Sequence, residues 1–451
     1  MDLKQLKSIY FLGIGGIGMS ALAKYFLFKG VKVSGYDKVE TDLTKNLSAS
    51  GAIIHYEDNI SLIPSADQID LVVYTPAIPS SNSEFTYFKE NNYLLKKRAN
   101  VLGNITKDYN TIAVAGTHGK TTTSSIIAHI ISYAEKGGVA FLGGVTTNYN
   151  SNILLSKGDI AVVEADEYDR SFLELSPNTI VLTSLDADHL DIYEKPEQVV
   201  ESFLEFSRRL KGGKKLIVFE AISSHFNKKL TYGFNSSSDL QLVNVSIVDH
   251  VYNFDLIYNG KLYSDFTFHL PGRYNLLNAT GAVLACFVNG LSISEIKNGL
   301  STFSGVKRRF EVHIDMPSCT FIDDYAHHPK EIEVLINAII EFYPSRPITA
   351  IFQPHLYSRT RDFMTEFSQS LSRLDRLFLL PIYPAREKPI SGISSKALFD
   401  LINIEDKVLV EKNQAFYNDL LVDNDQVVVT IGAGDIDIHV PKIKSFLMEN
   451  G

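Results

Sequence analysis

The sequence predicts an α/β protein of three domains, and three observations carry that prediction. Residues 8–37 run strand, glycine-rich turn, helix, strand. Residues 111–131 run strand, glycine loop, helix, with Ile126, Ile127, Ile130 and Ile131 recurring at the i, i+4 spacing of one helix face. From about residue 312, short apolar runs again alternate with amphipathic stretches, and each run ends in polar residues. A chain of 451 residues fits three such units, since domains average roughly 150 residues.

The composition, 45% hydrophobic and 21% charged, is that of a globular chain able to bury several cores. The net charge of -9 argues against a general nucleic-acid or anionic-membrane surface. It leaves room for a small anionic substrate, because a few local Arg and Lys suffice. The two cysteines, Cys286 and Cys319, lack ligand spacing, so neither structural zinc nor a disulfide framework is expected. A reducing, cytoplasmic location fits. Lys4 and Lys7 before the apolar run 9–19 resemble a signal peptide, but Lys24, Lys29 and the strand pattern Val31–Asp37 continue directly, as in a folded unit. No run of 18 apolar residues occurs, so no membrane partner is expected.

The first unit, residues 1–107, reads as Rossmann-like. Its turn is Gly13-x-Gly15-Gly16-x-Gly18, a variant of the dinucleotide fingerprint in which glycines allow a tight turn and close approach to a pyrophosphate. Asp37 ends the second strand about 20 residues on, where an acid meets a ribose hydroxyl. A glycine-rich turn without a ligand fits the same residues. Strand Leu71–Tyr74 then leads into Thr75-Pro-Ala-Ile-Pro79, a loop at a strand's carboxyl end.

The second unit, residues 108–311, is built on Thr111-Ile-Ala-Val-Ala-Gly-Thr-His-Gly-Lys-Thr-Thr-Thr123. Strand, glycine loop, Lys-Thr and helix is the order of a phosphate cradle. Backbone N–H groups face the anion, the lysine reaches the β/γ-phosphates, and the next hydroxyl binds Mg²⁺. The strict pattern wants glycine where Val114 stands, so only the shorter G-x-x-G-K-T core is present. Strand Ile160–Val163 runs into Glu164-Ala-Asp-Glu-Tyr-Asp169, acids that suit Mg²⁺ or form a solvated turn. Strand Thr179–Ser184 ends in Leu185-Asp-Ala-Asp-His-Leu-Asp191, where His189 is a metal ligand or a lone polar turn residue. Alternation around Asn259-Gly260 predicts a β-hairpin insertion. Asn275 and Asn278, at the start of the following helix, are caps or base contacts, and spacing alone favours caps. Arg308 and Arg309 suit phosphate oxygens, though a surface basic pair is the commoner case.

The third unit, residues 312–451, is again Rossmann-like. Strand Thr320–Ile322 ends in Asp323-Asp324-Tyr-Ala-His327-His328-Pro329, and strand Ile348–Phe352 in Gln353-Pro-His355-Leu-Tyr-Ser-Arg359. Strand Leu377–Ile382 follows, and strand Val427–Ile431 ends in Gly432-Ala-Gly434-Asp435. Polar strand ends along one sheet edge predict a site there.

Taken together, the motifs at 13–20, 116–123, 164–169, 188–191, 308–311, 323–329 and 432–435 resemble those of the ATP-dependent Mur ligases of peptidoglycan synthesis, in order and over essentially the whole chain. The resemblance implies three domains: a Rossmann-like N-terminal domain for a UDP-sugar, a P-loop ATPase-like central domain, and a Rossmann-like C-terminal domain for an amino acid. It implies ATP and Mg²⁺ as cofactors, UDP-N-acetylmuramate and L-alanine as substrates, and a monomer or homodimer. Gly116, Thr117, His118, Gly119, Lys120, Thr121 and Thr122 would wrap the ATP phosphates, and Lys120 would act on the γ-phosphate. Thr121, Glu164 and His189 would hold Mg²⁺. Asn275 and Asn278 would sit near adenine, with Arg308 and Asp324 reaching the nucleotide. His327, His355 and Arg359 would meet the amino acid, with His327 and Arg359 beside Lys120 as the catalytic set. Gly13, Gly15, Gly16, Gly18 and Asp37 would hold the UDP-sugar and no nicotinamide.

Two features bear on the branch of the family. Leu356 stands where the family often shows arginine, which puts the load of a carboxylate contact on Arg359. Residues 196–207 contain no lysine, in keeping with the alanine-adding branch, whereas several sister ligases carry a carbamoylated lysine there. Three rivals stand beside this reading. A sister ligase would attach a recovered peptide to the same nucleotide sugar. An oxidoreductase would use the first glycine turn and leave Lys120 unexplained. A silent nucleotide-binding regulator would bind without turnover.

Overall fold

The computed structural model describes residues 3–65, 68–186, 196–211, 215–385, 387–411, 416–417, 420 and 425–450. Three sheets order the chain. The first has strands β1 (Ser8–Leu12), β2 (Lys32–Tyr36), β3 (Ile53–His55), β4 (Leu71–Tyr74) and β5 (Leu95–Lys97), in spatial order β3-β2-β1-β4-β5. All its pairings are parallel, and β1 lies between β2 and β4. The connection reverses direction between β1 and β4, and an open parallel sheet binds ligands at such a switch point. The glycine turn follows β1, and the loop Thr75–Pro79 follows β4. Gly13 sits at φ +83, a backbone conformation that favours glycine, and a Cβ there would press on the Thr75 methyl at 3.0 Å.

The second sheet contains β6 (Asn110–Ala115), β7 (Gly137–Thr146), β8 (Ser151–Leu155), β9 (Ile160–Glu164), β10 (Thr179–Leu182), β11 (Lys215–Phe219), β12 (Leu230–Gly233), β13 (Leu240–Val248), β14 (Val251–Tyr258) and β15 (Lys261–Phe268). Their order is β15-β14-β13-β12-β11-β10-β6-β9-β7-β8. β6, flanked by β9 and β10 in parallel, is wholly apolar and buried along Ile112–Ala115. Its carboxyl end therefore faces the loops that follow β9 and β10. The expected hairpin is β14–β15, with Asn259 (φ 51) and Gly260 (φ 73) both in the left-handed region that a two-residue turn of this hand requires.

The third sheet contains β16 (Glu311–Asp315), β17 (Cys319–Asp324), β18 (Ile348–Phe352), β19 (Arg376–Leu379), β20 (Asp406–Leu409) and β21 (Gln426–Ile431), in order β16-β17-β21-β18-β19-β20. Only β16 runs antiparallel to its neighbour. Two sequence expectations shift here. Asp323 and Asp324 are the last residues of β17, paired with Thr430 and Ile431 of β21, rather than the start of a loop. β19 stops at Leu379, before Pro381, which has no N–H for a ladder.

The chain packs as two compact units. One holds residues 1–245, 254–267 and 277–303, and thus the first sheet with most of the second. Its core is continuous: Tyr25 of the helix Ile17–Phe28 meets Phe141 of β7 at 5.8 Å between ring centroids. Asn152 of β8 donates from Nδ2 to the Ile17 carbonyl at 2.7 Å and contacts Ser20 Oγ at 2.9 Å. The other unit holds residues 246–253, 268–276 and 304–451, built around the third sheet. No helix among the described residues is long and apolar enough to cross a membrane.

Candidate active site

In the first unit, the turn after β1 delivers Gly16 as the cap of the helix Ile17–Phe28. Asp37, at the end of β2, accepts the Gly15 N–H at 2.7 Å. A Cβ on Gly15 would fall 2.9 Å from the same carboxylate, so this glycine is needed for the contact. Arg98 lies over Gly18, with a guanidinium nitrogen 3.0 Å from where a Cβ would stand. The four glycines and Asp37 are therefore brought together, with the acid bracing the turn.

The loop after β6 turns through Gly116 (φ 140) and Gly119 (φ 80), and Gly119 caps the helix Lys120–Tyr133. Residues after β10 sew the loop down. Ser184 Oγ accepts the His118 N–H at 2.8 Å, and the Asp186 N–H donates to Thr117 Oγ1 at 3.0 Å. A Cβ on Gly116 would sit 2.1 Å from Thr183 Oγ1, and one on Gly119 would sit 2.4 Å from Asn278 Oδ1. Thr122 is buried in the first helical turn. Lys120 Nζ donates to the carbonyls of Gly116 at 2.6 Å and Thr117 at 3.2 Å, and to Glu167 Oε1 at 2.8 Å. Its side chain is only 13% exposed, less open than its place at a helix start suggests. Burial lowers its affinity for the proton, but the Glu167 and Glu164 carboxylates outweigh that and hold the ammonium above the ordinary lysine value.

Glu164 ends β9 beside this loop. It accepts the Gly143 N–H at 2.9 Å, and the Thr121 hydroxyl helps to stabilise its charged form. Burial pushes its carboxyl up, against the pull of Lys120 and Thr121. A half-buried carboxylate and a neighbouring hydroxyl supply hard oxygen donors, and a divalent cation there would favour the charged form. Thr121 and Glu164 thus fit Mg²⁺, whereas His189 lies outside the described residues.

The two asparagines separate. Both lie inside the helix Arg273–Val288, so the reading as caps fails. Asn278 belongs to the first unit and touches the phosphate loop at Gly119. Asn275 belongs to the second, is 2% exposed, and spends its amide on the Pro271 carbonyl at 2.7 Å.

In the second unit, Arg308 (φ 60) donates to the carbonyls of Gly432 at 2.5 Å and Gly434 at 3.3 Å, with its Nε 3.5 Å from Asp323. Asp324 is buried, and its two oxygens accept the N–H groups of Phe310 and Ala326, each at 2.7 Å. Burial raises both aspartates to about 6. Arg308 and Asp324 therefore hold the ends of β17 and β21 within their own unit.

His327, His355 and Arg359 gather at the carboxyl ends of β17 and β18. The two imidazole centroids are 6.0 Å apart, and His355 stacks on Tyr383 at 5.6 Å. His327 Nδ1 bonds the Tyr325 carbonyl at 2.9 Å, which fixes the proton on that nitrogen in the neutral ring and leaves Nε2 to accept. Burial lowers both histidines, with help from Arg359, His355 to about 4. No carboxylate among the described residues lies in ion-pair range of Arg359. A cation without a partner beside neutral imidazoles suits a carboxylate that carries an amine. The structure adds residues that the motifs did not assign. Glu167, three places after Glu164, holds Lys120. Gly143 and Ser184 carry no motif of their own.

A glycine loop on a helix N-terminus, with Lys120 and Glu164 beside it, on α/β sheets, defines the class: an α/β protein with a phosphate-loop fold. Comparison with known proteins then narrows it. The description "Mur ligase family, catalytic domain" matches residues 8–110, "Mur ligase middle domain" matches 114–286, and "Mur ligase, glutamate ligase domain" matches 308–434. The UDP-N-acetylmuramate–L-alanine ligase of Flavobacterium johnsoniae is 46% identical, and that of Flavobacterium psychrophilum 49%, each over 452 aligned positions and 100% of both chains. The crystal structure of UDP-N-acetylmuramate–alanine ligase from Thermotoga maritima aligns with a TM-score of 0.85 at 28% identity, over 98% of this chain and 100% of that one. A murein peptide ligase from Psychrobacter arcticus shares the fold, with a TM-score of 0.72 at 22% identity over 98% of both chains. The chain belongs to the Mur ligase family.

Proposed function

We propose that this chain is an ATP-dependent ligase that joins L-alanine to the carboxylate of UDP-N-acetylmuramate in peptidoglycan precursor synthesis, with Mg²⁺ as its metal. The observation that carries the reading is identity of 46–49% to L-alanine ligases over the full length, third sheet included.

The chemistry follows from the parts. A carboxylate is a poor electrophile. In the proposed sequence, one of its oxygens bonds the γ-phosphorus of ATP while the bond to ADP breaks, giving an acyl phosphate. The amine of alanine then bonds the carbonyl carbon, inorganic phosphate leaves, and the amine gives up a proton. Positioning and charge neutralisation govern phosphoryl transfer. Lys120 and the N–H groups of Gly116–Thr122 would supply these to the phosphates. Bound at Thr121, Glu164 and His189, Mg²⁺ would supply charge neutralisation at the phosphate oxygens. Asn275 and Asn278 would sit near adenine, with Arg308 and Asp324 reaching the nucleotide. Gly13, Gly15, Gly16, Gly18 and Asp37 would hold the UDP-sugar. Arg359 would bind the alanine carboxylate, and neutral His327 or His355 would take the proton of its amine. The functional divisions would be 1–107, 108–311 and 312–451.

The test is phosphate release measured with each substrate withheld in turn, and across a Mg²⁺ titration for wild type and Glu164→Gln. The reading expects release to need UDP-N-acetylmuramate and alanine together, and the variant to need more Mg²⁺. Release with ATP alone at the full rate, or an unchanged titration, goes against it.

A further inference from the structure

We infer that Glu387 is a positioning residue that sets affinity for the amino acid by holding the turn from His355 to Arg359. The inference rests on the assignment of those two residues to the amino-acid subsite.

The helix Tyr357–Asp362, which carries Arg359, begins badly on its own. Its cap is Leu356, whose side chain cannot accept a hydrogen bond and whose backbone (φ 71, ψ 137) lies where a branched residue rarely sits. Glu387 supplies the missing cap from 29 residues away. Its Oε2 accepts the Ser358 N–H at 2.9 Å and its Oε1 accepts the Ser358 hydroxyl. Burial works against its charge, but these donors and His355 prevail and hold it below the ordinary carboxylate value. Four residues before it on the same loop, Tyr383 pairs with the strained turn. The Leu356 N–H donates to the Tyr383 carbonyl at 2.9 Å, the Tyr383 N–H donates to Pro354 at 2.8 Å, and the Tyr383 ring stacks on His355.

One loop therefore grips the turn on both sides of Leu356. Strain of this kind persists only where neighbours over-determine it. Without the Glu387 carboxylate, Leu356 is free to leave the left-handed region and Arg359 loses its fixed direction. Glu387 also raises the proton affinity of His355 through space, without contacting the ring by a hydrogen bond.

The experiment measures steady-state KM for L-alanine, ATP and UDP-N-acetylmuramate in Glu387→Gln, Ser358→Ala and Arg359→Lys. A charge-assisted bond lost in Glu387→Gln predicts a KM for alanine about ten- to a hundred-fold higher, with the other two KM values held. Ser358→Ala, which removes only the hydroxyl, moves the same parameter less and carries the test if the glutamine variant does not fold. The His355 imidazole, followed by NMR, should titrate lower in Glu387→Gln. If Arg359→Lys raises the alanine KM and neither of the other variants does, the inference fails while the subsite reading stands. If Arg359→Lys also leaves it unchanged, the subsite reading fails and the inference with it. A parallel rise of all three KM values marks a general structural role and overturns the inference.

Discussion

Lys120 is held by three acceptors of its own unit: two loop carbonyls and Glu167. It thus stabilises the loop, beside the phosphate role proposed for it. Lys120→Met leaves the Glu167 carboxylate, 1% exposed, without its cation. Breaking a buried pair from one side costs ~3–5 kcal/mol, whereas replacing both partners is far cheaper. Urea denaturation should therefore show a large loss for Lys120→Met and recovery of most of it in Lys120→Met with Glu167→Gln. Turnover should stay at least ~10³-fold down in both, because the charge aimed at the transferring phosphoryl is gone. Recovery of turnover along with stability would show that the lysine is structural only. The lysine itself was legible from its place after Gly119. Glu167 stands in the acidic run 164–169, but nothing in the spacing says which of those acids faces the lysine.

Among the elements, glycine positions separate fold from chemistry. Gly119 and Gly260 share a left-handed backbone, φ 80 and 73. A Cβ at Gly260 meets open space, whereas one at Gly119 meets Asn278 at 2.4 Å. Alanine at either site costs ~1–2 kcal/mol in backbone strain. Gly260→Ala should lower the melting temperature and leave turnover intact. Gly119→Ala should lower both, with turnover reduced at least ~10-fold as the loop or Asn278 moves off the phosphates. Equal turnover in the two variants would contradict the placement of the phosphate loop. Glycine also explains what sequence reading missed. The hairpin was legible from Asn259-Gly260. β7 was not, because Gly137, Gly138, Gly143 and Gly144 interrupt its run of strand-forming residues. Two of them are small for contact: a Cβ would lie 2.3 Å from the Gly158 carbonyl at Gly138 and 2.3 Å from the Glu164 carboxylate at Gly143. Likewise Asp323 and Asp324 read as a polar strand end, and only the register with β21 shows them inside the strand.

At the scale of the whole molecule, local order was legible and long-range pairing was not. Each glycine loop is a contiguous motif flanked directly in sequence by its strand and helix, so both glycine turns and the polar strand ends of the third sheet could be read. Asn278 on Gly119 and Glu387 on Ser358 join residues far apart in the chain, and no spacing rule encodes them. The same limit applies to the amino acid chosen, because the proposed subsite gathers residues from the ends of β17 and β18. Leu356 brings no second cation to it, and a small apolar pocket discriminates by only ~1–3 kcal/mol per methylene. L-alanine should therefore lead, with serine and glycine detectable. The direct measurement is mass spectrometry of the nucleotide-sugar product after incubation with ATP, Mg²⁺, UDP-N-acetylmuramate and an equimolar mixture of L-alanine and a cell-wall tripeptide. One alanine residue should be added per nucleotide sugar, with ADP and phosphate in equal yield. A tripeptide adduct without an alanine adduct would contradict this and identify a peptide-recycling ligase.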